Sequence, residues 1–365
     1  MSTAAITECM SYEASAVEEA LKKIAGSSSF PDCRGKKILV KPNILSDSRT
    51  ETGITTHPAV VMALVRLCQQ MGASAVYVGD SPGLPSSSFR AEVCGIADVC
   101  RRTGAIWADF SQNPVSLSLD SKTQVPVAAI LDEVDFVISA AKFKTHQLMY
   151  TTGAVKNLFG LIPGLSKSPM HLRFPDQDAF ASFLVSLYLK SKTAYSVIDS
   201  VIGMEGCGPS NGKLRHVGLL IGSDNAFACD YAQAVIMGYD PADIPVLREG
   251  RKRGLIDDEI FFPLLDAENL KISDFEKIRV SQRKKGLLSG LILPFLTHHG
   301  QQKRTRRRPA PVFNSERCIK CARCVRICPA KALSLDKSIE ISTDRCIRCY
   351  CCAEVCPQDA VQVKA

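Results

Sequence analysis

The sequence predicts an α/β domain with a largely parallel sheet flanked by helices, followed by a small cysteine-rich module. Three observations carry the prediction. Short apolar runs alternate with helical patterns over the first 280 residues. Polar and glycine-containing segments follow those runs on their C-terminal side, where open parallel sheets gather functional groups. From Cys318 onward, a run of cysteines separated by two residues occurs twice.

Taken in order, Ala14 to Ala25 has a helical pattern, Lys37 to Lys41 (KILVK) reads as a strand, Pro58 to Met71 as a helix and Ala75 to Gly79 as a second strand. Val134 to Ala140, Ala194 to Ile198 and Val217 to Ile221 are continuous apolar runs, the pattern of strands covered on both faces. Helices are predicted over Gln177 to Lys190 and Asn225 to Met237. The first 25 residues have no basic start followed by an apolar run, and Glu8, Glu13, Glu18 and Glu19 argue against a targeting peptide. A cytoplasmic location is therefore expected.

At 365 residues the chain exceeds one ordinary domain, and its 46% hydrophobic content suffices for a substantial core. The expected organisation is an α/β domain over 1–280, a basic and apolar linker over 281–311, and the cysteine-rich module over 312–365. The linker holds Arg283, Lys284, Lys285, Lys303, Arg304, Arg306, Arg307 and Arg308 without an acidic residue, which accounts for the whole net charge of +8. Its apolar stretch, Gly286 to Leu296, contains Pro294 and is too short to span a bilayer. It can pack on the α/β domain, touch anionic lipid through 283–308 as a peripheral contact, or dock a partner. A nucleic-acid role is not expected, because no reading fold or base-stacking aromatics accompany the basic run.

The cysteine pattern is the most specific signal. Cys318, Cys321, Cys324 and Cys328-Pro329 recur 28 residues later as Cys346, Cys349, Cys352 and Cys356-Pro357. Two intervening residues let three thiolates converge on one iron–sulfur cube, while the fourth cysteine reaches the other cube. Two [4Fe–4S] clusters are therefore expected, one on Cys318, Cys321, Cys324 and Cys356, the other on Cys346, Cys349, Cys352 and Cys328. Each following proline lacks an N–H and turns the chain away from the metal. A zinc site or a disulfide framework also uses closely spaced cysteines, but neither needs eight in an interleaved pattern. Cys351, at the position Arg323 occupies in the first run, reads as a spectator. Of the sixteen cysteines, seven lie outside the module without a pattern, which suits a reducing compartment.

A second site is expected at the strand ends. Lys41 and Asn43 follow the first strand, Asp80 the second, and Lys142, Lys144 and His146 the strand near 134–140. Asp199 and Glu205 follow the strand near 194–198, and a glycine-bounded turn presents Lys156 and Asn157 ahead of Gly160. Converging lysines would favour an anionic substrate or stabilise charge gained on reduction. His57 can simply begin a helix, His171 can be a core or surface histidine, and Cys207 reads as an unperturbed buried cysteine rather than a redox-active thiol. No dinucleotide or phosphate-loop motif is present, so any further organic cofactor is left open.

The doubled cysteine run and its repeated flanks resemble the bacterial two-cluster ferredoxins, which implies a small α+β fold. The combination VKPN, HP, GDSPG, KFKTH, GAVKNLFG and MEG over residues 35–280 resembles the iron–sulfur protein family known as domain of unknown function 362. The resemblance implies a LarA-like (lactate-racemase-like) or Rossmann-like α/β architecture and a redox role. It nominates Lys41, Asn43, His57, Asp80, Lys142, Lys144, His146, Lys156, Asn157, Gly160 and Glu205 without assigning their chemistry. The leading expectation is an iron–sulfur oxidoreductase: its clusters take electrons from a low-potential donor protein and relay them to a substrate or cofactor in the cleft. Lys142, Lys144 and Lys156 would hold the reduced anion, and His146 would donate a proton. The alternative is a non-enzymatic electron carrier or metallocentre-assembly protein acting on a protein partner.

Overall fold

The computed structural model describes residues 1–46, 48–83, 91–278 and 308–363. Its main sheet contains β1 (Ala5–Glu8), β2 (Lys37–Pro42), β3 (Ala75–Val78), β4 (Ile106–Trp107), β5 (Phe136–His146), β6 (Thr193–Glu205) and β7 (Lys213–Ser223). Their order is β1-β7-β6-β5-β2-β3-β4. The pairs from β6 through β4 are parallel, and β6 with β7 and β7 with β1 are antiparallel. The fold is therefore mixed α/β with a largely parallel sheet flanked by helices.

Strand periodicity divides the core in two. Ile38 and Val40 of β2 and Ile138 and Ala140 of β5 face one layer, where α1 (Ala14–Ser27), α2 (Pro58–Gln70) and α3 (Ile96–Thr103) pack. Leu39, Val137 and Ala141 face the other, with α4 (Ala154–Asn157), α5 (Gln177–Lys190), α6 (Ala226–Ile236) and α7 (Pro245–Lys252). Because both faces are covered, these strands are apolar throughout rather than alternating.

Two strands run further than expected. β5 continues beyond Ala140 through Lys142, Lys144 and His146, and β6 continues through Glu205. The polar segments therefore lie within strands instead of in loops after them. The cause is pairing: the tip of β5 is held by the short strand Tyr150–Thr151, and that of β6 by β7.

The module contains the hairpin Leu333–Leu335 with Ile339–Ile341, the pair Val312–Phe313 with Val361–Gln362, and two short helices, α8 (Arg323–Ile327) and α9 (Cys351–Glu354). Its halves are related in backbone as well as sequence. Left-handed residues occur at Lys320, Ala322 and Lys331 and again at Arg348, Tyr350 and Asp359. The linker reading falls on 281–307, outside the described residues; Arg308 is buried and donates to the carbonyls of Pro175, 2.9 Å away, and Ile347, 3.1 Å away. Among the described residues no helix is long and apolar enough to cross a membrane.

Candidate functional site

Lys142, Lys144 and His146 alternate along β5 and share its register, yet each meets a different partner. Lys142 Nζ lies 2.8 Å from Asp199 Oδ2 and 2.8 Å from the Tyr12 hydroxyl, completely buried. Lys144 Nζ donates to Asn43 Oδ1 at 2.9 Å and to the Ile54 carbonyl at 2.6 Å. Burial, followed by the neighbouring Lys156 and Lys142, pushes the Lys144 ammonium well below the usual lysine range. His146 Nδ1 accepts from the Leu148 and Met149 amides at 3.1 and 3.2 Å, which leaves its proton on Nε2. Burial pushes this imidazole down to about 4, so it is neutral at physiological pH.

Lys41 and Asp80 form a second buried pair, 2.7 Å apart, with side chains 0% and 3% exposed. Asn157 braces this pair: its Nδ2 donates to the Lys41 carbonyl and to Ser139 Oγ, while its Oδ1 accepts from Lys41 Nζ at 3.3 Å. A side chain at Gly160 would bring Cβ within 2.0 Å of Asp80 Oδ1 and 2.4 Å of Lys41 Nζ, so only glycine closes over the pair. The start of α4 is tied by Asp230, whose carboxylate accepts the Ala154 and Val155 amides. Burial raises the Asp230 carboxyl to about 7. Lys156 and Asn157 thus project from an anchored turn.

The cluster module closes the site. Ser210 Oγ donates to the Glu354 carbonyl at 2.8 Å, and Asn211 Nδ2 donates to the Ala353 carbonyl at 3.3 Å, clamping α9 onto the α/β domain. Glu354 Oε1 lies 2.9 Å from His146 Nε2, although the two atoms are not aligned as a regular hydrogen bond. Burial opposes ionisation of Glu354, but His146 and Lys156 outweigh it and hold the carboxyl down to about 2. Between domain and module lies a cavity of about 810 Å³. Asn43, Asp80, Lys156, Asn157 and Gly160 line one side, and Arg323, Arg326, Cys351, Glu354 and Cys356 line the other.

Cys328, Cys346, Cys349, Cys351 and Cys352 line one small cavity beside Pro311 and Tyr350. Cys324 feels the charge of Cys321 and Cys356. No disulfide joins any of the described cysteines. Among the described residues, no three His, Cys, Asp or Glu side chains stand close enough to share one metal ion. A cube puts each thiolate on its own iron, a wider arrangement. The surroundings fit such a group. The Ala332 amide donates to Cys328 Sγ at 3.2 Å and the Ala360 amide to Cys356 Sγ at 3.3 Å. Burial and the crowd of Cys349, Cys346, Cys324 and Cys328 push Cys352 well above the usual thiol range, a cost that a bound cationic core removes.

Of the nominated α/β residues, Asn43, Asp80, Lys156, Asn157 and Gly160 reach the cavity. Lys41, Lys144 and His146 stand one contact behind its wall, through Asp80, Asn43 and Glu354 respectively. Lys142 is sequestered under Asp199 and Tyr12. Glu205 is turned elsewhere, accepting from the Glu276 amide at 3.2 Å near Arg215. His57 caps α2, its Nδ1 accepting from the Ala59 amide, and its ring stacks on Tyr12. Cys207, expected as an unperturbed buried thiol, is instead exposed on its loop, and partial desolvation of its sulfur, then Asp359 and Glu276, raise its pKa.

Four charged cavity-lining residues were not nominated by the sequence reading, Lys167, Arg323, Arg326 and Glu354, and His171, read there as a core or surface histidine, lines the cavity too. Lys167 Nζ donates to the carbonyls of Ser81 at 2.7 Å and Ile162 at 2.5 Å, and burial lowers it to about 7. The 28-residue repeat offered one unused signal, since Arg326 and Glu354 occupy equivalent positions.

Residues 38–235 match the family described as Domain of unknown function (DUF362), and residues 317–360 match a 4Fe-4S dicluster domain. A thylakoid-associated protein of Synechocystis sp. is 30% identical over 273 residues, covering 73% of this chain and 84% of that protein. The lactate racemase apoprotein of Thermoanaerobacterium thermosaccharolyticum aligns with a TM-score of 0.44 at 12% identity, over 62% of this chain and 56% of that chain. A protein of Thermotoga maritima aligns with a TM-score of 0.33 at 14% identity, over 54% and 52%. By its match over residues 38–235, this chain belongs to the DUF362 family and carries a 4Fe-4S dicluster domain at residues 317–360.

Proposed function

We propose that the protein is an iron–sulfur oxidoreductase in which two [4Fe–4S] clusters relay electrons from a low-potential donor protein to a substrate or cofactor in the cleft. The observation that carries this reading is the shared wall: Cys356, a ligand in the proposed assignment, lines the same cavity as Lys156 and Asn157. When bound, the clusters supply single electrons at low potential. The first would rest on Cys318, Cys321, Cys324 and Cys356, the second on Cys346, Cys349, Cys352 and Cys328. Lys156 offsets negative charge gained by the bound molecule. Asn157 and Gly160 hold Lys41 and Asp80 in register beside it. His146 is neutral with its proton on Nε2 facing Glu354, so it orients that carboxylate at the cavity wall rather than donating a proton to the bound molecule. A reducing cytoplasmic compartment suits both the free thiols and the clusters.

The test is anaerobic purification followed by iron analysis, EPR of the dithionite-reduced protein, and mass spectrometry of small molecules released on denaturation. About eight irons per chain and a retained organic ligand that speeds cluster reoxidation support the reading, provided Lys156→Met loses that acceleration while keeping its EPR signal. Clusters that reoxidise only with a protein acceptor replace it with the electron-carrier reading. Zinc without reducible iron overturns it.

A further inference from the structure

Several polar groups in the cleft have binding capacity that the protein leaves unused. His171 is 5% exposed, its ring stacks on Phe180 with centroids 4.4 Å apart, and its Nδ1 has no hydrogen-bond partner among the described residues. Lys156 is half-buried and lines the cavity, and among the described residues its ammonium donates no hydrogen bond. Across the cavity, Arg323 and Arg326 stand three residues apart on α8 and both line it. Neither has a carboxylate partner within salt-bridge distance among the described residues. Of the two carboxylates in the wall, Asp80 is neutralised by Lys41, which leaves Glu354 against these cations and Lys167.

We propose that the cleft binds a small organic anion with an apolar body. Its anionic group lies between Lys156 of the α/β domain and Arg323 and Arg326 of the cluster module, and its body lies against Phe159, Leu165 and Ile327. The inference rests on the cleft being the functional site and adds the class of molecule it takes. The volume of about 810 Å³ falls in the range of small-molecule sites, and much of the wall is apolar, so a bare inorganic anion would leave most of the cavity unfilled. Bound clusters carry net negative charge, so an anion beside Cys356 is repelled unless cations stand between. Arginine forks supply that cation and match carboxylate or phosphate oxygens in pairs. Because the cations come from both domains, the anion site exists only with the module docked.

Equilibrium binding tests this without turnover, so its result is separable from that of the electron-relay experiment. Anaerobic isothermal titration calorimetry of the cluster-loaded protein would use 2-naphthoate and 2-naphthyl phosphate as probes, with 2-naphthamide as the uncharged comparison. One saturable site is expected that takes at least one of the two anions about tenfold more tightly than the amide, a difference of about 1.4 kcal/mol. The preferred anion identifies carboxylate or phosphate as the group recognised. Lys156→Met and Arg326→Met should each weaken the anion about tenfold and leave the amide unchanged, with EPR confirming intact clusters. Equal affinity for anion and amide overturns the proposal. So does an Arg326→Met protein that binds the anion normally but shows a shifted cluster potential, because the arginine then serves the cluster alone.

Discussion

The first cysteine run, Cys318 to Pro329, and the second, Cys346 to Pro357, share their spacing, their left-handed residues and a short helix at the same place. Their surroundings differ. In the first run Ile319 is 60% exposed and Lys320 is exposed; in the second, Ile347 is half-buried and Arg348 is buried. Ala322 is answered by Tyr350, whose hydroxyl donates to the Pro309 carbonyl at 3.0 Å. Both helices border the cleft, but α8 presents Arg323 and Arg326 where α9 presents Cys351 and Glu354. The comparison separates two kinds of position. Cysteines and left-handed residues satisfy cluster geometry and recur, while the side chains between them adapt to what each half touches.

The largest effect should come from the fourth cysteines, which in the proposed assignment cross between halves. Cys328→Ala, in the first run, should remove the cluster of the second run, and Cys356→Ala the converse; each should lose about half the iron. Iron analysis with EPR of each variant checks this. Loss from the run that carries the substitution would break the interleaved assignment.

Next in size are the contacts peculiar to α9. Glu354→Gln removes a charge that faces His146 and Lys156 and should cost about 2 kcal/mol by anaerobic denaturant titration, whereas Arg326→Gln, its exposed counterpart, should stay within about 0.5 kcal/mol. The burial of His146 beside Glu354 has a pH signature. His146 falls from 6.5 to about 4 on folding, so the unfolded chain binds the extra proton between those values. Stability from this group is complete above pH 6.5 and is lost as pH falls towards 4, by on the order of 3 kcal/mol. His146→Gln should flatten the stability profile in that window.

The smallest effects should separate the loops between cysteines. Arg348→Ala removes a buried guanidinium that donates to the Cys346 carbonyl at 2.9 Å and should cost about 1 kcal/mol. Lys320→Ala, at the equivalent exposed position, should change stability by less than about 0.5 kcal/mol. Equal costs would mean that the two loops are not differently buried.

Much of the fold was legible. α5 has the predicted limits, Gln177 to Lys190, because Asp176 caps it through the Ala179 amide and Ser191 ends it. The strand centres were legible because burial on both faces leaves unbroken apolar runs. The ends of β5 and β6 were not, because Lys142 and Lys144 resemble loop residues until Asp199 and Asn43 are seen to receive them. Glu354 was missed for a related reason. Nothing local distinguishes it from any acid in a short helix; its meaning comes from His146 and Lys156 on another domain.

By itself the sequence determined the cysteine pattern, the parallel α/β framework and the glycine-bounded turn carrying Lys156 and Asn157. These depend on spacing and periodicity, which act over a few residues. Only the tertiary structure decided which lysines face the cavity, that Glu205 does not, and that α8 and α9 form its opposite wall. Those outcomes depend on how buried charges find partners across the chain. A lysine's role is set by the carboxylate, carbonyl or open space its ammonium meets, and spacing along the chain does not specify that neighbour.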